Sequence, residues 1–196
     1  LTLTELKTRV NDRRRDITTS FVSDNEITRY LNEGLRFLQV ENDWDFTQVS
    51  ASISYVDGTT DYQISAIGNN DFKEPIDLFY TYNYKFTFVG PEEFNYLTTP
   101  KFNIWAIDGP VLKIQTNFGT QTLSADYYST YMAKTSGSSK ILELTDGTDE
   151  PLMPEYYRDF LVNYAIERIG LKEINKNDLN YAITQKERIL NKMKAV

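Results

Sequence analysis

Glu41-Asn42-Asp43-Trp44-Asp45-Phe46, ENDWDF, stands where one periodicity stops and another begins. Upstream, Ile27, Tyr30, Leu31, Gly34, Leu35 and Leu38 recur at helical spacing behind Ser23 and Glu26, a pair with capping-box separation. Downstream, from about Thr47, the period becomes two, with Val49, Ala51, Ile53 and Tyr55 alternating with polar residues. The stretch therefore reads as a corner between a helical and a β block, with Trp44 and Phe46 plugging the joint and Asp43 and Asp45 left in solvent. The competing reading is a site, in which the two aspartates hold a metal or, with Trp44, bind a sugar. Asp-x-Asp is a common string, and no second acidic cluster has a spacing that completes such a site. The corner is favoured.

Working outward, the residues before the corner predict two helices. Thr4 can cap the first, which carries the narrow stripe Leu6, Val10 and Ile17. After the corner, Asp57-Gly58 predicts a hairpin turn leading to Tyr62 and Ile64. Further strands are expected at 76–82, 84–89, 102–107, 111–116 and 123–131, with Asp108-Gly109 as another turn and Pro91-Glu92-Glu93 opening a short helix. No long crossover helix separates the strands, so the sheet should be mainly antiparallel. Helices return after Asp146-Gly147-Thr148-Asp149-Glu150. Pro154 suits a first helical position, Tyr157, Phe160, Leu161, Tyr164, Ala165 and Ile169 form a wide stripe, and a turn near 175–177 leads to a last helix ending in Lys192-Met193-Lys194. The expected fold is α+β: N- and C-terminal helix pairs forming a four-helix bundle, with an inserted, mainly antiparallel β domain.

Charge marks the same blocks. Residues 1–45 carry seven basic and nine acidic side chains, 46–150 six and thirteen, and 151–196 eight and six. These steps predict N-terminal bundle helices at 1–45, the β domain at 46–150 and C-terminal bundle helices with a docking tail at 151–196. The acidic middle block argues against a nucleic-acid backbone as its ligand. The chain has no cysteine and no histidine, which removes disulfides, zinc and haem sites and imidazole catalysis. No cofactor or metal is expected, no apolar run has the length of a membrane span, and the start at Leu1 suggests that further residues precede it.

Candidate contacts remain. Arg13-Arg14-Arg15 reads either as a solvated helix face, with Asp12 and Asp16 as local counter-charge, or as a partner contact; arginine is the preferred cation at interfaces. Asp146 to Glu150 lacks the alternating ligands of a calcium loop. Ser136 to Lys140 reads as a link with no base nearby, and Tyr80, Tyr82 and Tyr84 as core or protein interface.

The order of parts, "YLNEGLRFLQVENDWDF", "SASISYVDGTTDYQI", "GPVLKIQTNFGTQTLSADYYSTY" and "PLMPEYYRDFLVNYAIERIGLKE", resembles the tail-adaptor, or head-to-tail connector, proteins of tailed bacteriophages. The positions that carry the resemblance are Leu31-Asn32, Trp44 and Phe46, Gly58 and Tyr62, Tyr127-Tyr128, and Pro151 or Pro154. Gln63-Ile64-Ser65-Ala66 stands where such chains usually have a proline. The resemblance implies a non-enzymatic structural virion protein, made in the host cytoplasm and placed at the neck. There it forms a homo-oligomeric ring, most often of twelve copies, beneath the portal protein and against a tail or tail-completion protein. Packaged DNA would pass through without sequence-specific binding. The bundle would build the ring and the C-terminal segment would dock on the portal, so Arg13, Arg14, Arg15, Lys192 and Lys194 are the expected partner contacts. A tail or baseplate protein, or less readily a carboxylate-based carbohydrate enzyme or binder, is the alternative.

Overall fold

In this computed structural model, which describes residues 1–13, 22–68, 70–80, 84–97, 103–173 and 176–195, the fold is α+β with mostly antiparallel sheets. In chain order the elements are α1 (Leu3–Arg13), α2 (Asp24–Glu41), β1 (Gln48–Tyr55), β2 (Asp61–Gln63), β3 (Phe72–Phe79), β4 (Thr87–Phe88), α3 (Pro91–Tyr96), β5 (Ile104–Asp108), β6 (Val111–Gln115) and β7 (Gln121–Ser129). There follow β8 (Ala133–Lys134), β9 (Lys140–Ile141), β10 (Glu150–Pro151), α4 (Asp159–Glu173) and α5 (Lys176–Lys194). Two compact units result: Leu1–Thr47 with Tyr131–Val196, and the contiguous Gln48–Thr130. The charge steps lie at 45/46 and 150/151, whereas the units divide at 47/48 and 130/131. The difference has a physical source, because Met132, Ala133 and Leu144 are buried in the core of the helical unit whatever the charge of their neighbours.

Within the helical unit, α4 is the hub and packs against α1, α2 and α5. Its residues Phe160 to Ile166 are buried without a break, as expected of a helix covered on several sides rather than on one stripe. Gly34 lets α2 and α4 approach closely: a Cβ there would lie 3.1 Å from Leu161 Cδ2 and 3.3 Å from the Tyr164 ring. The capping box of α2 forms as its spacing implies, with Glu26 N donating to Ser23 Oγ (3.3 Å) and Ser23 N to the Glu26 carboxylate (3.1 Å). The first helix is capped differently from expectation. It starts at Leu3, and Thr2 and Glu5 make the reciprocal pair, Thr2 N to Glu5 Oε2 at 2.8 Å and Glu5 N to Thr2 Oγ1 at 3.3 Å. The Thr4 hydroxyl instead donates to Gly147 O at 2.9 Å. Pro154 also differs, since it precedes a 3-10 turn at Glu155–Tyr157 and α4 begins only at Asp159, five residues after the proline.

Within the strand unit, two sheets share one core. Their orders are β1-β7-β3 and β2-β6-β5-β4, and only the β4–β5 pair is parallel among the described residues. Ile53, Leu78, Leu123 and Tyr127 from the first sheet and Trp105, Leu112 and Ile114 from the second are buried together. Here the expected Asp57-Gly58 hairpin is corrected. Gly58 does adopt a left-handed φ of 79°, yet β1 pairs with β7 (Gln48 opposite Tyr128, Tyr55 opposite Gln121) and β2 pairs with β6. The turn passes the chain from one sheet to the other. Tyr62 fixes that crossing, its hydroxyl accepting from Val56 N at 2.9 Å while its ring tilts against Tyr55. β3, expected at 76–82, begins earlier at Phe72 and ends at Phe79.

The small sheet β10-β8-β9 belongs to the helical unit. Of the stretch Ser136 to Lys140, residues Ser136 to Ser139 link β8 to β9, with Ser138 at a φ of 67°, and Lys140 is the first residue of β9.

Candidate functional site

The corner that opens the sequence builds one wall of a cleft. Asn42 leaves α2 in extended conformation, which frees the carbonyls of the helix's last turn. Trp44 takes up one of them: its indole Nε1 donates to Leu38 O at 2.7 Å, and only 4% of the residue remains exposed. Thr47 then closes the turn, donating from N (2.8 Å) and from its hydroxyl (2.7 Å) to Trp44 O. Phe46 stacks on Trp44 with centroids 5.9 Å apart. Both aromatics lie in the helical unit, against its core.

The opposite wall comes from the C-terminal half of the chain. The 3-10 turn after Pro154 sets the Tyr156 and Tyr157 rings 4.2 Å apart, and the Tyr157 hydroxyl donates to Lys192 O at 3.4 Å. That contact satisfies a carbonyl at the end of α5, where Met193 is buried and Lys194 pairs with Glu41 of α2. Between the walls lies a cleft of about 250 Å³, apolar at its base, with Asp43 and Asp45 on one side and Tyr156, 71% exposed, on the other. Lys192 is exposed on the last turn of α5. Among the described residues no group of three acidic side chains is placed to hold a metal ion. The cleft has room for an apolar or aromatic side chain.

The expected arginine face falls partly on a second feature. Arg9 and Arg13, one helical turn apart on α1, both reach Asp159 at the start of α4: Arg9 Nη1 to Oδ1 at 3.0 Å and Arg13 Nη2 to Oδ2 at 2.7 Å. Burial alone would raise the Asp159 pKa, but the hydrogen bonds and charges of Arg13 and Arg9 outweigh it and hold the carboxyl below its ordinary value. Arg13 is thus engaged within the unit, while Arg14 and Arg15 lie outside the described residues.

Two further residues, Arg158 and Asp71, carry no site signal in the sequence. Arg158 is 8% exposed and donates to Met153 O (3.1 Å), Leu1 O (3.0 Å) and Pro151 O (3.0 Å), joining the N-terminus to the loop before α4. In the strand unit, buried Asp71 accepts from the Tyr127 hydroxyl at 2.7 Å and the Ser129 hydroxyl at 2.6 Å. Nothing in the local pattern marks Arg158 as buried: it takes up the Pro151 and Met153 carbonyls of the preceding loop and the Leu1 carbonyl 157 positions away. Of the tyrosine row, Tyr80 and Tyr84 meet Phe118 with centroids at 5.4 and 5.6 Å, while Tyr82 lies outside the described residues. The Asp146 to Asp149 loop closes on itself, Asp149 Oδ2 accepting from Thr145 N (2.8 Å) and Asp146 N (2.7 Å).

No helix among the described residues is long and apolar enough to cross a membrane. A family model described as SU10 adaptor protein matches residues 1–195. No curated protein matches the chain.

Proposed function

Since the chain belongs to the SU10 adaptor protein family, a family of phage head-tail adaptors, we propose that this structural virion component forms a homo-oligomeric ring joining the portal to the tail at the neck. The observation that carries this reading is the family match over residues 1–195, which takes in both compact units rather than one. In this reading the terminal helix pairs act as a four-helix bundle that builds the ring, and the β domain inserted between them faces the next tail component. The cleft beside Trp44 and the basic end of α5, Lys192 and Lys194, dock on the portal. The ring lumen continues the DNA channel, and a surface of net negative charge lets the duplex slide without sequence-specific contact.

Arg13, Arg14 and Arg15 contribute charge-assisted contacts to an acidic surface of the portal or of a neighbouring copy. Arg13 is already shared with Asp159, so its replacement would also weaken the helical unit. The test therefore replaces Arg14 and Arg15 by alanine and keeps Arg13. Binding to the purified portal of the same phage is followed through a salt series. The reading expects weaker binding and a shallower salt dependence; portal binding by neither the parent chain nor the variant would remove the connector role. A chain recovered with baseplate proteins instead would move it to the far end of the tail.

A further inference from the structure

The strand unit leaves one long sheet edge without the usual protection. β1 is the edge of its sheet, and its eight residues pair with β7 in unbroken register, with no bulge, no proline and no charged side chain. The other edge of the same sheet, β3, carries Lys73, Glu74, Pro75 and Asp77 and two register irregularities. Those are the devices by which edges avoid pairing with another chain. The edges of the second sheet, β2 and β4, are only three and two residues long. Among the described residues, β1 is thus the one long edge open to a further strand.

We propose that β1 pairs antiparallel with β1 of a second copy of this chain, centred on Ser52. The argument is the strand's self-complementarity. About that centre Ala51 falls opposite Ile53 and Val49 opposite Tyr55, so on the core-facing side each smaller residue meets a larger one. On the outer side Ser50 falls opposite Ser54 and Ser52 opposite itself, a row of hydroxyls with no like charges to repel. A centre shifted by one residue, to Ala51, would instead set Tyr55 against Thr47, whose backbone is already in a 3-10 turn. The product is a six-stranded sheet, β3-β7-β1 continued into its two-fold mate. A two-fold contact closes at two copies, whereas a ring needs a head-to-tail contact. The pairing therefore belongs to the free chain, is independent of the connector reading, and keeps β1 covered before assembly.

The chain has no cysteine, so single cysteines report on register. In the purified chain, Ser52→Cys places two thiols opposite each other at the roughly 4.5–5.5 Å Cα separation of paired strands, within disulfide reach. Ser54→Cys faces Ser50 of the second copy and has no such partner. Under mild oxidation the Ser52→Cys chain should cross-link at least tenfold faster than the Ser54→Cys chain, and light scattering of the parent chain should give twice the monomer mass. Ser52→Lys should return the monomer mass, and mixing it with Ser52→Asp should restore the dimer. A parent chain monomeric at high micromolar concentration, equal cross-linking at the two positions, or protection of β1 amides from exchange only when another virion protein is added would each overturn the pairing.

Discussion

Asn32, buried in the middle of α2, exchanges two hydrogen bonds with the backbone of Leu144: its Nδ2 donates to Leu144 O and its Oδ1 accepts from Leu144 N, both at 2.9 Å. The side chain behaves as a short piece of strand, satisfying at once the donor and the acceptor of a residue 112 positions away. This explains a polar residue within an apolar stripe, and it ties the loop before β10 to α2.

Asn32→Ala leaves both Leu144 groups buried without partners, and should destabilise the helical unit by about 2–4 kcal/mol. Asn32→Asp keeps the acceptor but turns the donor into a second oxygen facing Leu144 O, so it should cost as much despite the matched size. Chemical denaturation of the two variants checks both expectations.

Asp159 governs the acid side of stability. Its carboxyl is held below the ordinary value, so its contribution is complete above the unfolded carboxylate pKa of about 3.9 and is lost as pH falls through the lower, folded value. Asp159→Asn should lower the thermal midpoint at neutral pH and flatten its fall between about pH 4 and pH 2. Calorimetry across that range decides it; an unchanged slope would show that Arg9 and Arg13 do not depend on this carboxylate.

Gly68 and Gly58 both have left-handed backbones, with φ of 67° and 79°, but different surroundings. A Cβ at Gly68 would fall 2.0 Å from the Tyr127 hydroxyl and 2.6 Å from Asp71 Oδ1, whereas Gly58 has open space. Gly58→Ala should therefore cost about 1–2 kcal/mol, the backbone term alone. Gly68→Ala should cost clearly more, because it also separates Tyr127 from Asp71. Unfolding of the two variants in urea gives the comparison.

How much of this was legible beforehand depended on how local the determinant is. The capping box of Ser23 and Glu26 and the stripe of α2 act within one turn, and both appear where spacing places them. So does the change of period after Trp44. Strand partners are not local: Asp57-Gly58 has the chemistry of a hairpin turn, but β1 finds its mate in β7 because the core needs Ile53 beside Leu123. Thr2 rather than Thr4 caps α1, and a distant loop takes up the next backbone donors, Leu3 N bonding to Asp149 O and Thr4 N to Gly147 O. The cleft is half legible: the change of period marks Trp44 and Phe46 as a corner, while Tyr156 and Met193, which complete it, come from beyond residue 150. Burial of Arg158 had no local signal at all.

The cleft offers a separation of function from stability. Trp44→Ala removes a buried ring and its bond to Leu38 O, and should cost about 3–5 kcal/mol. Tyr156→Ala, at an exposed position on the rim, should change stability by no more than about 0.5–1 kcal/mol while weakening capture by the portal at least tenfold. Denaturation read beside portal binding distinguishes an anchoring rim from a merely structural one.

The most direct test is to image the head-to-tail junction of purified virions by single-particle averaging and to fit the two compact units separately into the density. The account predicts multiple copies arranged as a closed ring around the DNA channel, between portal and tail, with the Trp44 cleft and the end of α5 on the portal side. Density for this chain at the baseplate, or a junction ring built from another protein, would contradict it.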